Sequence, residues 1–148
     1  MLRPVGAHDV RFLRDMLRHA YHWRLAEDTE RPVYRYVRNW GRPGDAGVVA
    51  LEGPHPYGAA WYRLFTVGEP GFGFVDEQTP ELTIAVVPSH RGHGGGGELL
   101  EALLERARAE GFSLISLSAE SGQTGFYEKH GFREHRREDG TVTMAADL

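Results

Sequence analysis

The segment Arg91-Gly-His-Gly-Gly-Gly-Gly97 joins one fixed positive charge to a run of glycines. It falls between a strand-like run, Glu81–Val87, and a leucine-rich helical run, Glu98–Glu110. Backbone N–H groups at a helix start have no acceptor within the helix and carry partial positive charge. In a loop without side chains they form an anion cradle, suited to a phosphate or pyrophosphate. Arg91 adds a full charge beside it. A tight strand-to-helix connection needs only one glycine. Four in succession weaken a helix by ~1 kcal/mol each in its interior, so the anion site is the favoured reading. A nucleotide triphosphatase loop is excluded, because Glu98 and Leu99 follow the last glycine instead of Lys and Ser or Thr. Gly92, Gly94 and Gly97 match a dinucleotide fingerprint literally, but a glycine run matches almost any glycine pattern. A dinucleotide domain would also set the motif at its first strand. Nicotinamide-dependent oxidoreduction is the weakest of the readings.

Other chemistry is limited by what the chain lacks. With 0 cysteines there is no disulfide, no thiolate metal site and no covalent thiol nucleophile. The 8 histidines are scattered, and none sits on an H-E-x-x-H spacing. His19 and His22 are three apart on a predicted helix without an evident third ligand, so no metal is expected.

The elements that must position the loop follow from periodicity. Met1–Val5 reads as a short strand and Ala7–Tyr21 as a helix, with Val10, Leu13, Met16, Leu17, Ala20 and Tyr21 at helical spacing. Val33–Trp40 reads as a second helix or irregular chain. Gly47–Leu51 and Tyr57–Val67 form an antiparallel pair across Gly53–Pro56. Gly68–Thr79 reads as a long loop with a short extended piece at Phe72–Val75. Glu81–Val87 is rich in β-branched residues and stops at Pro88. Leu99, Leu100, Leu103, Leu104 and Ala107 give the next helix its apolar face, and Gly111 suits its cap. A strand at Leu114–Leu117 and a short helix at Gly122–His130 follow. Phe132–Arg136 and Thr141–Ala145 close the chain around an Asp139-Gly140 turn. This order predicts one α/β (mixed α+β) domain over 1–148, with a mixed, mostly antiparallel central sheet and helices on both faces.

A chain of 148 residues and 16.6 kDa suffices for one sizeable core. Its 41% hydrophobic and 26% charged residues match ordinary globular proteins. A net charge of −4 disfavours nucleic acid as a partner. Arg3, Asp9, Arg11, Arg14, Asp15 and Arg18 interrupt Met1–Ala20, and no segment approaches a membrane span. No signal peptide and no membrane partner are expected, and a cytoplasmic location is.

From Glu81 to Phe132 the sequence resembles the GNAT superfamily of N-acetyltransferases. The family's strand often ends V-x-P and is followed by [RQ]-x-x-G-x-[GA] at a helix start. Here Val86-Val-Pro88 precedes Arg91, Gly94 and Gly96 in that register. The family also commonly shows a tyrosine followed by a G-F pair, and this chain has Phe126-Tyr-Glu-Lys-His-Gly-Phe132. The resemblance implies acetyl-CoA or another acyl-CoA as donor. The cradle would be Arg91, Gly92, His93, Gly94, Gly95 and Gly96, holding the CoA pyrophosphate. The backbone near Val86 would pair with the pantetheine arm like an added strand. An amine would attack the thioester directly, with no acyl-enzyme. Tyr127 matches the tyrosine near the CoA sulfur, as general acid or hydrogen-bond donor; the alternative is an aromatic core residue. The chain departs from the family pattern at Glu120, commonly Asn, at Gly95, commonly a branched apolar residue, and at Gln123, commonly small and apolar.

An amine at neutral pH is mostly protonated, so attack needs a base. Glu81 is the first candidate, directly or through water, and Glu120 the second. A structural hydrogen bond at the strand end is the other reading of Glu81. The acceptor is expected to be a small-molecule or protein amine. Its pocket, by resemblance, is built from the N-terminal half, where Trp23, Tyr34, Tyr36, Trp40, Trp61, Tyr62, Phe65, Phe72 and Phe74 cluster. Arg35, Arg38 and Arg42 would either meet an acidic acceptor or form a solvated face. A non-catalytic acyl-CoA-binding module of the same fold is the alternative function. Homodimers are frequent in the family, and the sequence neither supports nor excludes one.

Overall fold

Strand pairing sets the architecture. In the computed structural model, which describes residues 1–22 and 33–148, seven strands form one sheet in the order β1-β2-β3-β4-β5-β7-β6. They are β1 (Leu2–Pro4), β2 (Ala46–Glu52), β3 (His55–Arg63), β4 (Glu81–Val86), β5 (Leu114–Glu120), β6 (Arg133–Glu138) and β7 (Thr141–Asp147). All neighbours are antiparallel except β4 and β5. The β6–β7 hairpin turns at Asp139 and Gly140, both with positive φ (41° and 77°), the mirror-image turn that the Asp-Gly pair favours.

Helices cover both faces. A 3-10 turn (Ala7–Asp9) leads into α1 (Val10–Ala20); α2 is Gly95–Ala109 and α3 is Thr124–Glu128. Strand alternation sends Ala60, Tyr62 and Leu82 to one face, where Leu99, Leu100, Leu103, Leu104 and Ala107 of α2 are buried against them. Ala59, Trp61 and Ala85 go to the other face, against Leu13, Met16 and Leu17 of α1. Each fully buried leucine contributes roughly 1.5–3 kcal/mol, so the α2 stripe alone strongly anchors the helix start beside the sheet.

The predicted elements are present, with shifted ends. β3 stops at Arg63, short of Val67, because β4 begins opposite that residue and β2 ends its pairing at Tyr62. Beyond Arg63 the chain has no neighbouring strand. No extended piece forms at Phe72–Val75: Phe72 and Gly73 make a turn, closed by Phe74 N–H to Gly71 O at 3.3 Å. Val33–Trp40 is a helical turn running into further turns. β5 continues to Glu120 because β7 runs beside it to the Glu120–Thr141 pair. The helix predicted from Glu98 starts three residues earlier, at Gly95.

A buried ion pair fixes the segment before β2. Arg63 and Asp45 have side chains 1% and 2% exposed and bond through two contacts, 2.9 and 2.7 Å. Arg63 also donates to the carbonyls of Arg35 and Arg38, and its guanidinium lies over the Trp40 ring at 5.5 Å. Arg38 pairs with Glu69, and Arg35 donates to Pro70 O. Two arginines of the predicted basic cluster therefore serve to hold the 64–80 loop.

Candidate active site

β4 and β5 meet at one end and part at the other. Among the described residues their parallel register is a single pair, Glu81 opposite Ser116. Ser116 N–H donates to Pro80 O at 3.0 Å at this closed end. Toward their C-terminal ends lies a cleft of about 470 Å³, lined by Ile84, Ala85 and Val86 on one lip and Ser118, Ala119 and Glu120 on the other. Its volume is in the range of small-ligand sites.

One end of the cleft is the glycine loop. Gly94 caps α2 in the left-handed region (φ 83°), and no side chain caps the helix. The first-turn amides of α2 therefore present donors with no intrahelical acceptor. Gly96 lines the cleft, and a Cβ there would stand 3.6 Å from the Phe126 ring, in ordinary van der Waals contact with it. Arg91 also lines the cleft, and its Nε donates to Val86 O at 2.9 Å. Val87 N–H bonds back to Tyr57 O at 2.8 Å. Alternation therefore turns the backbone of Val86 toward the gap between the strands. His93 and Gly95 are not among the residues that line the cleft. With Tyr57, His90 and Glu98 they border a second cavity of about 630 Å³. The loop is thus two-sided: Val86, Arg91 and Gly96 face the cleft, whereas His93 and Gly95 do not. Gly92, at φ 83°, is one of the turns that make this possible.

Beside the loop, α3 carries Phe126 and Tyr127 into the cleft. The Phe126 and Phe132 rings flank Tyr127 at 5.1 and 6.0 Å. Burial pushes the Tyr127 phenol up to about 12, so the hydroxyl keeps its proton at neutral pH.

Glu81 is not among the residues that line the cleft. It is 1% exposed at the closed end of β4, where its Oε2 accepts from the Tyr36 hydroxyl and from Gly73 N–H at 3.1 Å. Burial and the nearby Glu81 carboxyl drive the Tyr36 phenol well above its ordinary range. Burial does the same to Tyr21, whose hydroxyl bonds Thr83 Oγ1 at 2.9 Å. Glu120, the second base candidate, does line the cleft.

The end of α1 adds His19, Ala20 and His22, and β5 adds Ser118. Burial, then Arg91 and Arg18, hold His19 below the ordinary histidine range. The three-residue spacing of His19 and His22 placed both on one helix face but did not say what that face met. Ser118 had no signal at all in the sequence. Of the aromatic cluster, Tyr36, Trp61, Tyr62 and Phe65 are core, and Trp40 supports Arg63. Trp23 lies outside the described residues.

A family model described as acetyltransferase (GNAT) family matches residues 10–132. The chain is 34% identical over 86 residues to an uncharacterized N-acetyltransferase, YjcF, of Bacillus subtilis, a match covering 58% of this chain and 54% of that protein. It is 35% identical over 74 residues to a glucosamine 6-phosphate N-acetyltransferase of Trypanosoma brucei brucei, covering 50% and 46%. The matches thus span about half the length of these curated relatives. Among solved structures, yncA of Salmonella typhimurium, a putative acetyltransferase with acetyl-CoA, superposes with a TM-score of 0.73. It is 19% identical, over 100% of this chain and 93% of that one. The PaiA N-acetyltransferase of Thermoplasma acidophilum in complex with coenzyme A gives 0.70 at 14% identity, over 100% and 98%. These two likenesses are likenesses of fold.

Proposed function

The chain belongs to the acetyltransferase (GNAT) family, and from that premise we propose that it transfers the acetyl group of acetyl-CoA directly to a primary amine. The carrying observation is the parted sheet, whose cleft is lined by both a phosphate-type cradle and a protonated tyrosine.

The site fits the donor on its own geometry. Arg91 and the uncapped first turn of α2 supply charge and N–H donors for a pyrophosphate. Gly96 puts bare backbone on the cleft's lining beside those amides. The Val86 N–H, turned into the gap, suits an amide-bearing arm laid between the strands, as a peptide adds to a sheet edge, while Arg91 holds the Val86 carbonyl. Gly95 supplies the first of those amides, and Gly92, His93 and Gly94 complete the loop that leads into them.

The amine nitrogen's electron pair forms the new C–N bond as the C–S bond breaks, and sulfur leaves with its electrons. A phenol at about 12 does not hand its proton outright to a thiolate whose conjugate acid ionises at about 8.5. Tyr127 therefore serves as a hydrogen-bond donor to the developing negative sulfur, and the proton shed by nitrogen neutralises it. Glu81 is buried behind Tyr36, which supports a relayed rather than a direct role as base. Glu120 faces the cleft, where a carboxylate favours a cationic acceptor. The acceptor's mouth is assigned to the end of α1. The expected cytoplasmic location goes with this reading, because acetyl-CoA is a soluble donor. Among the described residues no helix is long and apolar enough to cross a membrane.

Calorimetric titration with acetyl-CoA and CoA tests the donor. Micromolar binding that is lost in Arg91→Ala is expected. A glucosamine 6-phosphate, diamine and peptide-amine panel then tests transfer. No binding would remove the donor assignment, and binding without transfer would leave a non-catalytic module.

A further inference from the structure

The proton shed by the acceptor nitrogen has to reach the departing sulfur, and a phenol at about 12 does not carry it. The cleft holds a better-matched group. His19, in the last turn of α1, lines it together with Ala20, Ser118, Glu120 and Tyr127. Ala20 and Tyr127 also border a small void that shares lining residues with the cleft, so the last turn of α1 stands next to the tyrosine. The His19 side chain is half-buried, and among the described residues its ring nitrogens have no hydrogen-bond partner. His22, by contrast, is exposed, and its Nδ1 faces the His19 carbonyl at 3.4 Å. The charged and titratable groups around His19 are Asp15, Arg18 and His22 from its own stretch of chain and Arg91 from the glycine loop. Glu120 of β5 and Tyr127 of α3 share the cleft lining with it. Burial, then Arg91 and Arg18, leave the ring mostly neutral at pH 7. A pyrophosphate on Arg91 would cancel that cation's effect, and burial, the largest cause, would remain.

We propose that His19 is a catalytic residue of the transfer, carrying the proton shed by the amine nitrogen to the departing sulfur. The inference rests on the transferase reading. The acceptor enters this step as the neutral amine, its ammonium proton having been lost beforehand. As the nitrogen's electron pair forms the C–N bond, the nitrogen turns acidic and a ring nitrogen of His19 takes one proton. The C–S bond breaks and its electron pair stays on sulfur. The imidazolium then gives the same proton to the thiolate, leaving an amide, a thiol and a neutral imidazole. Magnitudes select the group. An imidazolium ionises at about 6.5 even when unshifted and a thiol at about 8.5, so the second transfer is favourable by about a hundredfold. From Tyr127 the same transfer is unfavourable by more than about a thousandfold. Glu120 is a poorer base for the first transfer, a glutamate ionising ordinarily at about 4.3. A carrier that ionises near the working pH performs both halves best. Tyr127 keeps its place as hydrogen-bond donor to the sulfur.

The test compares wild type, His19→Gln and His19→Ala, using the panel amine that wild type acetylates best, with amine and acetyl-CoA both saturating. Gln keeps a polar side chain and cannot carry a proton. Its kcat is expected to fall by about 10² at pH 7, with calorimetric acetyl-CoA affinity unchanged. Wild-type kcat should decline as pH falls below the ordinary histidine value, about 6.5, because a charged His19 cannot accept the proton. The gap between wild type and His19→Gln should close in that range. In His19→Ala, imidazole added to the buffer should restore turnover in proportion to its neutral form. A side chain that only shapes the acceptor's mouth is not replaced in this way. An unchanged kcat in His19→Gln, or a deficit equal at every pH with no imidazole rescue, overturns the carrier and leaves the transferase reading intact. Rescue in His22→Ala and not in His19→Ala also overturns it. Failure of wild type to acetylate any amine overturns both readings.

Discussion

Tyr127 and Gly96 face each other across Phe126, and each has its role set by what a single atom would change. Removing the Tyr127 oxygen leaves the ring packed between Phe126 and Phe132. Tyr127→Phe is therefore expected to lower turnover about 10- to 100-fold with little change in acetyl-CoA affinity or Tm. Steady-state kinetics beside calorimetry would show it, and unchanged turnover would remove the assignment. Adding one carbon at Gly96 should act in the opposite sense. Ala fits the helix and gains roughly 0.5–1 kcal/mol of stability by propensity. It also adds bulk to the cleft beside Phe126, next to the amides that on the proposed reading receive the donor. Gly96→Ala should raise Tm and weaken acetyl-CoA binding together. A glycine kept only for chain reversal would show no such opposition. At this scale the sequence exposed Arg91, the glycines and Tyr127 because their types are unusual where they occur. Ser118 in the cleft lining, and the Tyr21–Thr83 and Tyr36–Glu81 contacts, stayed hidden. Their chemistry depends on contacts between residues up to 62 positions apart, as for Tyr21 and Thr83, and no local pattern encodes that.

The elements were legible where hydrophobic periodicity or turn chemistry fixed them. Leu99 to Ala107 spelled out the buried face of α2, and Asp139-Gly140 spelled out the last hairpin. Ends were less legible, because a strand ends where its partner ends. β3 stops at Arg63 for want of a neighbour, although Leu64 to Val67 are as strand-like as what precedes them. α2 takes in Gly95 to Gly97 because its leucine stripe is anchored against the sheet, which outweighs the glycines' poor propensity. The left-handed cap at Gly94 is the position that tolerates least. Gly94→Ala should cost about 1–2 kcal/mol from the backbone alone, read as a lower urea midpoint. A neutral result would mean that the turn can rearrange.

Across the whole molecule, ion pairs do the fastening at sites far from the cleft. Asp45→Ala would strand the Arg63 charge in the interior, at a cost of about 3–5 kcal/mol. For a chain of this length that corresponds to a Tm lower by roughly 10 °C. The N-terminus is fastened by Asp9. The Arg3 guanidinium, helped by Gly6 N–H and opposed by burial, holds its carboxyl below the usual carboxylate range. A lowered carboxyl pKa contributes stability above the ordinary value, about 3.9, and loses it as pH falls through the folded value. Asp9→Asn should flatten the dependence of unfolding free energy on pH in that acid window and nowhere else. The single Glu81–Ser116 rung has a thermodynamic meaning of its own. Most sheets complete their ladders with their own backbone. This one leaves adjacent lips unjoined, and on the proposed reading it borrows the missing rungs from its cargo. Loading and folding then share one free energy. At a hundredfold excess over its Kd, the donor would add about 2.7 kcal/mol to global stability. Amide hydrogen exchange along Ile84–Val86 and Ser118–Glu120 would slow in step with that gain, so the protein's melting curve would serve as its occupancy gauge.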